Sequence, residues 1–155
     1  MARKLQSPEE HAAKIRNRQL RKFYDSFKAK DPSSCWLWEA GVIKGTGYGR
    51  TSWIWTTTTE KRAYYIGAHQ LAWCLHNGVE VEDIPMDPTS PTRRMSVCHS
   101  NSCLSKLCVN PDHLRLDTNE ENARDFDKTG KRSETVKKGH ITRKLSALSF
   151  CAKVL

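Results

Sequence analysis

Cys103, Cys108 and His113 follow one another at two equal five-residue steps. Three such side chains within eleven residues constrain the fold more than any other feature. A structural zinc ion takes four Cys or His ligands in a tetrahedron, so a loop that supplies three must close on a fourth from elsewhere. Two cysteines can complete the set. Cys98 continues the same five-residue step, and Cys35 heads a remote Cys35-Trp36-Leu37-Trp38 run that alternates like a short strand. Spacing alone leaves both open.

The rest of the chain makes such a staple useful. Its 155 residues are 37% hydrophobic with a mean hydropathy of −0.69, and a small polar domain often needs a metal or disulfides to supplement its core. The first ten residues contain no apolar run, so a signal peptide is not expected. No stretch has the roughly 18 consecutive apolar residues of a membrane span. A reducing compartment is therefore expected, where six cysteines favour metal over disulfides.

Local signals lay out the elements. Ser7-Pro8-Glu9-Glu10 reads as a helix start, with Ile15, Leu20, Phe23 and Phe27 at near-helical spacing and an end near Lys30. Tyr48–Thr59 and Ala63–Ile66 are rich in β-branched and aromatic residues and predict a hairpin bending near 57–62. Ala68 to Asn77 reads as a helix closed by Gly78. Residues 79–93 hold Pro85, Pro88 and Pro91 and read as a loop, or a linker-like insertion. Met95–His99 and Leu114–Leu116 read as short strands around the Cys/His loop. Thr118 with Glu121 three residues on is a capping-box pattern opening a helix of about ten residues, with Gly130 as its stop.

Charge divides the chain differently. Residues 1–30 carry nine Lys/Arg against three Asp/Glu, residues 124–155 the same, and residues 31–123 eight against eleven. Two basic ends on a near-neutral body suit a polyanionic partner. The organisation expected is a basic N-terminal helix over 1–30, a central domain over 31–130 and a basic C-terminal tail over 131–155.

Val97-Cys-His-Ser-Asn-Ser-Cys103, Cys108-Val-Asn-Pro-Asp-His-Leu114 and Thr118-Asn-Glu-Glu-Asn122 together resemble the HNH endonucleases, above all the branch shared with the His-Cys box homing endonucleases. Gly47-Tyr-Gly-Arg50 and Ala68-His-Gln-Leu-Ala-Trp73 are similar to that branch too, and the resemblance spans residues 20–130. It implies an α+β fold: a ββα-metal nuclease motif with a structural zinc site, preceded by an antiparallel hairpin and an N-terminal helix. It implies zinc held by Cys35, Cys103, Cys108 and His113, His99 as general base, and Asn122 as ligand of a catalytic Mg²⁺ or similar divalent ion. Strand alternation also favours Cys35, because Cys98 adjoins His99 and should point to the opposite face. His11, His69, His76 and His140 are left as structural histidines.

The chain departs from the family in two places. Three residues separate His99 from Cys103, where the family usually has one, so strict spacing would put Asn101 in the base position. An amide cannot take a proton, so the base is assigned to His99 with a two-residue bulge. The second, C-terminal zinc cluster of the His-Cys box enzymes has no counterpart, the tail holding Cys151 alone.

The expected activity is hydrolysis of DNA phosphodiester bonds, with a zinc module that binds nucleic acid without cutting as the alternative. Double-stranded DNA is the expected partner, contacted by Arg50 on the hairpin and by Lys61 and Arg62 near its bend, since a major groove admits a two-stranded ribbon. Cutting both strands of a palindrome calls for a homodimer. The expected location is intracellular: cytoplasmic for a phage or bacterial enzyme, nuclear for one from a eukaryotic intron.

Overall fold

The computed structural model describes residues 7–56, 61–103 and 105–128. The tail over 131–155, with Cys151 and His140, lies outside them, as do Gly130 and the bend at 57–60. Among the described residues the fold is α+β: three α-helices and three separate two-stranded antiparallel sheets.

Helix α1 (Pro8–Tyr24) starts as its sequence dictates. The Ser7 hydroxyl accepts from the Glu10 N–H at 3.2 Å, and the Glu10 carboxylate accepts from the Ser7 N–H at 3.0 Å, so two orphan donors are satisfied reciprocally. Ile15 and Phe23 are buried. The helix stops at Tyr24, not near Lys30. The backbone beyond it is taken up by long-range pairing: Phe27 bridges Trp38, and the Glu39 N–H donates to the Ser26 carbonyl at 2.8 Å. Phe23, Phe27, Trp36 and Trp38 form an aromatic cluster there, with neighbouring centroids 5.4 to 6.0 Å apart.

The Cys35–Trp38 run is strand-like because it is paired on both sides. The Trp38 N–H donates to the Leu107 carbonyl and the Val109 N–H to the Trp36 carbonyl, both at 2.8 Å. This ladder carries Cys35 to the Cys/His loop.

Strands β1 (Arg50–Thr56) and β2 (Lys61–Gly67) pair from Arg50 opposite Gly67 to Thr56 opposite Lys61. Alternation buries Trp53 and leaves Arg50, Ser52 and Tyr65 exposed on the other face. Trp53 is therefore core, with the Arg16 guanidinium 5.7 Å from its ring centroid. β2 runs directly into α2 (Ala68–Asn77), which buries Ala68, Leu71, Ala72 and Cys74 and ends at Gly78 with φ 65°, a left-handed value that glycine takes at no steric cost.

Gly49 precedes β1 where the chain passes closest to the aromatic cluster. A Cβ there would lie 2.7 Å from Trp38 Cδ1 and 3.1 Å from the Ala68 Cβ. Gly49→Ala should lower stability by about 1–3 kcal/mol, the usual cost of overpacking a rigid core. A thermal melt of the two proteins checks this, and an unchanged midpoint contradicts it.

Residues 79–93 are more than a loop. They form a 3₁₀ turn (Val81–Asp83) and a hairpin of β3 (Met86–Asp87) with β4 (Ser90–Arg94). Ile84 enters the common core, and Asp87 is 1% exposed. The prolines shape this segment without detaching it.

Strand β5 (Ser96–His99) pairs with β6 (Leu114–Asp117), placing His99 opposite Leu114, and α3 (Asn119–Lys128) follows. The capping box at its start forms: the Glu121 N–H donates to the Thr118 hydroxyl at 3.1 Å, and the Thr118 N–H to the Glu121 carboxylate at 3.4 Å. One hydrophobic core joins α1, β1, α2 and the β5–β6 pair through Phe23, Trp53, Leu71, Val97, Val109 and Leu114. No described helix is long and apolar enough to cross a membrane.

Candidate metal centre and adjoining histidines

Four metal-ligating side chains converge: Cys35, Cys103, Cys108 and His113, their ligand atoms all within 4.8 Å of one another. The Cys35 Sγ is 3.7 Å from the Cys103 Sγ, and the His113 Nδ1 is 3.6 Å from the sulfurs of both Cys35 and Cys108. A zinc tetrahedron with its usual bond lengths puts sulfurs about 3.8 Å apart and sulfur and nitrogen about 3.6 Å apart. The donor set and spacing are thus consistent with a structural zinc site. Cys98 stays outside it, buried across from Arg115 with its sulfur 3.6 Å from the Ser96 carbonyl.

Local structure explains the convergence. The 35–38 run brings Cys35, and a turn places Cys103, whose N–H donates to the Ser100 carbonyl at 2.9 Å. His113 ends a 3₁₀ turn (Pro111–His113) capped by the Asn110 side chain, which accepts from the Asp112 N–H at 3.1 Å. Asn110 is fully buried, and its amide also donates to the carbonyls of Pro32 and Ser34, both at 2.7 Å. One side chain thus ties the strand of the first ligand to the turn of the last. Burial pushes the Cys103 thiol up and the Cys108 thiol up to about 12. A bound cation would offset that cost by favouring the thiolate.

His99, half-buried at the end of β5, adjoins this centre. Its Nε2 lies 3.0 Å from the Cys108 carbonyl oxygen. A carbonyl only accepts, so Nε2 carries the proton and Nδ1 is the basic nitrogen of the neutral ring. The His99 ring faces His69 (centroids 5.1 Å apart) and Tyr48 (6.0 Å apart and 20° from parallel). Burial, and next the charge of His99, pull His69 down to about 4, so it is neutral near pH 7. Its Nδ1 is buried with no hydrogen-bond partner among the described residues. Gly67 admits the ring, since a Cβ there would lie 2.7 Å from His69 Cε1. His69, expected as a structural histidine, packs against His99. The Ala68-His69 pair opening a helix straight from a glycine-ended strand was the available signal.

Asn122 is half-buried in the first turn of α3, its N–H donating to the Thr118 carbonyl at 3.0 Å. Asn101, the residue at strict family spacing, is exposed in the turn after β5. Arg115 links the frame: its guanidinium donates to the His99 carbonyl at 3.3 Å, to Asp117 at 3.0 Å and to Asp125 of α3. On the hairpin, the exposed Arg50 lies 4.8 Å over the Tyr65 ring. Lys61 and Arg62 open β2, paired with Thr56 and Trp55.

No family model, curated protein or solved structure matches this chain. The chemistry of the site is what carries a functional reading.

Proposed function

We propose that this protein is a divalent-metal-dependent DNA endonuclease built on a ββα-metal motif, with structural zinc at Cys35, Cys103, Cys108 and His113. The observation that carries the reading is the bond from His99 to the carbonyl of Cys108. It orients an imidazole from within the metal-stapled loop, on the strand pair that leads into the helix of Asn122. The Nδ1 of His99 accepts a proton from water, a task suited to a group with a reference pKa of about 6.5. The Asn122 amide oxygen is a hard donor of the kind Mg²⁺ takes, and that ion keeps several waters and substrate oxygens as its other ligands. When bound, it stabilises charge on the phosphate and the leaving 3′ oxygen.

The test is cleavage of supercoiled plasmid by the zinc-loaded protein with and without added Mg²⁺. Omission is preferable to a chelator, which also draws on the zinc. Nicked or linear product that depends on Mg²⁺ is the expected result. DNA binding without product under any divalent ion overturns it in favour of a non-catalytic zinc module. A single motif cuts one strand, so double-strand cutting implies a homodimer, which sedimentation on DNA distinguishes from a nicking monomer.

In this reading DNA is contacted by Arg50 on the exposed face of the hairpin and by Lys61 and Arg62 near its bend. Arg50→Ala should weaken binding and reduce the slope of log affinity against log salt by about one, as expected for one lost phosphate contact. Anisotropy titrations across a salt series check this, and an unchanged slope removes Arg50 from the interface.

A further inference from the structure

Asp87 is a carboxylate with 1% of its surface exposed, supplied by the proline-rich segment between α2 and β5. Both oxygens are engaged. Oδ1 accepts from the Thr89 N–H at 2.8 Å and the Thr89 hydroxyl at 2.6 Å. Oδ2 accepts from the Asn119 N–H at 2.8 Å and the Asn119 Nδ2 at 2.5 Å. Asn119 is the first residue of α3, and its amide also donates to the Arg94 carbonyl at 3.2 Å and accepts from the Ser96 hydroxyl at 2.8 Å. A carboxylate at a helix N-terminus satisfies an orphan N–H and complements the helix dipole. Asn122 follows one turn later, on the same side of the helix as Asn119.

We propose that Asp87 is the positioning residue for Asn122, fixing the first turn of α3 so that the Asn122 amide holds one orientation toward a divalent ion. The Thr118–Glu121 capping box secures the turn within its own segment, whereas Asp87 fixes it to the body. Ile84, buried three residues before Asp87, anchors the segment in the core. The charge of Asp87 supports the same role, because the bonds from Thr89 and Asn119 hold its carboxyl down at about 2 and keep it an acceptor at any working pH.

The proposal rests on the nuclease reading for the role of Asn122. Its test is a Mn²⁺ titration of the full-length, zinc-loaded protein, followed by paramagnetic broadening of the Asn122 side-chain amide resonance, with hydrogen exchange of the α3 amides alongside. Asp87→Ala should keep its zinc, speed exchange in the first turn of α3 and raise the half-saturating Mn²⁺ concentration by about ten- to a hundredfold, as for other outer-shell supports of a metal ligand. A purely structural role would lower the folded fraction without moving the titration of the folded protein. Asp87→Asn preserves volume but turns donors toward donors, and it carries the test if Asp87→Ala loses zinc or fails to fold. A variant that matches wild type in both titration and exchange overturns the proposal alone. Wild type showing no broadening at Asn122 overturns the nuclease reading of that residue and the proposal with it.

Discussion

Cys108→Ser should abolish stoichiometric zinc binding and unfold much of the protein at ordinary temperatures. Cys108 does three things at once. Its sulfur is a ligand of the candidate zinc centre, its backbone bridges Leu37 of the 35–38 run, and its carbonyl accepts from His99. Zinc contributes apparent free energies of about 10–16 kcal/mol in small zinc-dependent peptides. Whole domains are stable by only about 5–15 kcal/mol. Even partial loss of the metal contribution therefore competes with everything else that holds this small core together. The β5–β6 pair is four residues long on each side, too short to persist by itself. Zinc content by mass spectrometry and a circular dichroism melt give the readout. Chelation of wild type should reproduce the mutant. Cys98→Ser, outside the cluster, should keep full zinc. If Cys108→Ser melts like wild type, the cluster is not what holds this fold together.

What could be read from the sequence, and what could not, divides along the range of the interactions. The helix start at Ser7, the Thr118 capping box, the glycine stop at Gly78 and the β1–β2 hairpin each depend on residues close together in the chain, and all form as expected. Three ligands of the metal cluster were legible because they are local, while the fourth, Cys35, came from the family resemblance, with the strand parity of Cys98 in its support. The misses are long-range. Helix α1 ends early because Phe27 finds Trp38, a partner that helical spacing cannot anticipate. Residues 79–93 read as a loop or linker-like insertion because they hold three prolines and few apolar residues, while Ile84 and Asp87 decide their place through contacts to distant elements. Nothing local in the sequence marks the bonds of Asn110 to Pro32 and Ser34, which only the fold reveals.

His99→Ala should reduce single-turnover DNA cleavage by about 10²–10⁴-fold, the usual contribution of a positioned general base, while leaving zinc content intact. His99 is not a zinc-cluster ligand, and its bond to the Cys108 carbonyl is made by the ring, so truncation removes the proton acceptor without removing a ligand. DNA affinity should change much less than the rate, because His99 is half-buried against Tyr48 and His69 and offers DNA little contact surface. The contrast that gives the experiment its force is Asn101→Ala. Strict family spacing would make Asn101 the equivalent of the base, but its place in the exposed turn after β5 gives its loss little expected effect on rate. The loop between His99 and Cys103 explains how both requirements coexist: β5 ends with His99 paired to Leu114, the Ser100 N–H still bonds the His113 carbonyl, and Asn101 and Ser102 bulge outward before Cys103 turns back to the metal centre. The two extra residues are absorbed in solvent, so neither the imidazole nor the thiol has to move. A rate lost in Asn101→Ala and retained in His99→Ala would reverse this register and remove the base from the proposed mechanism.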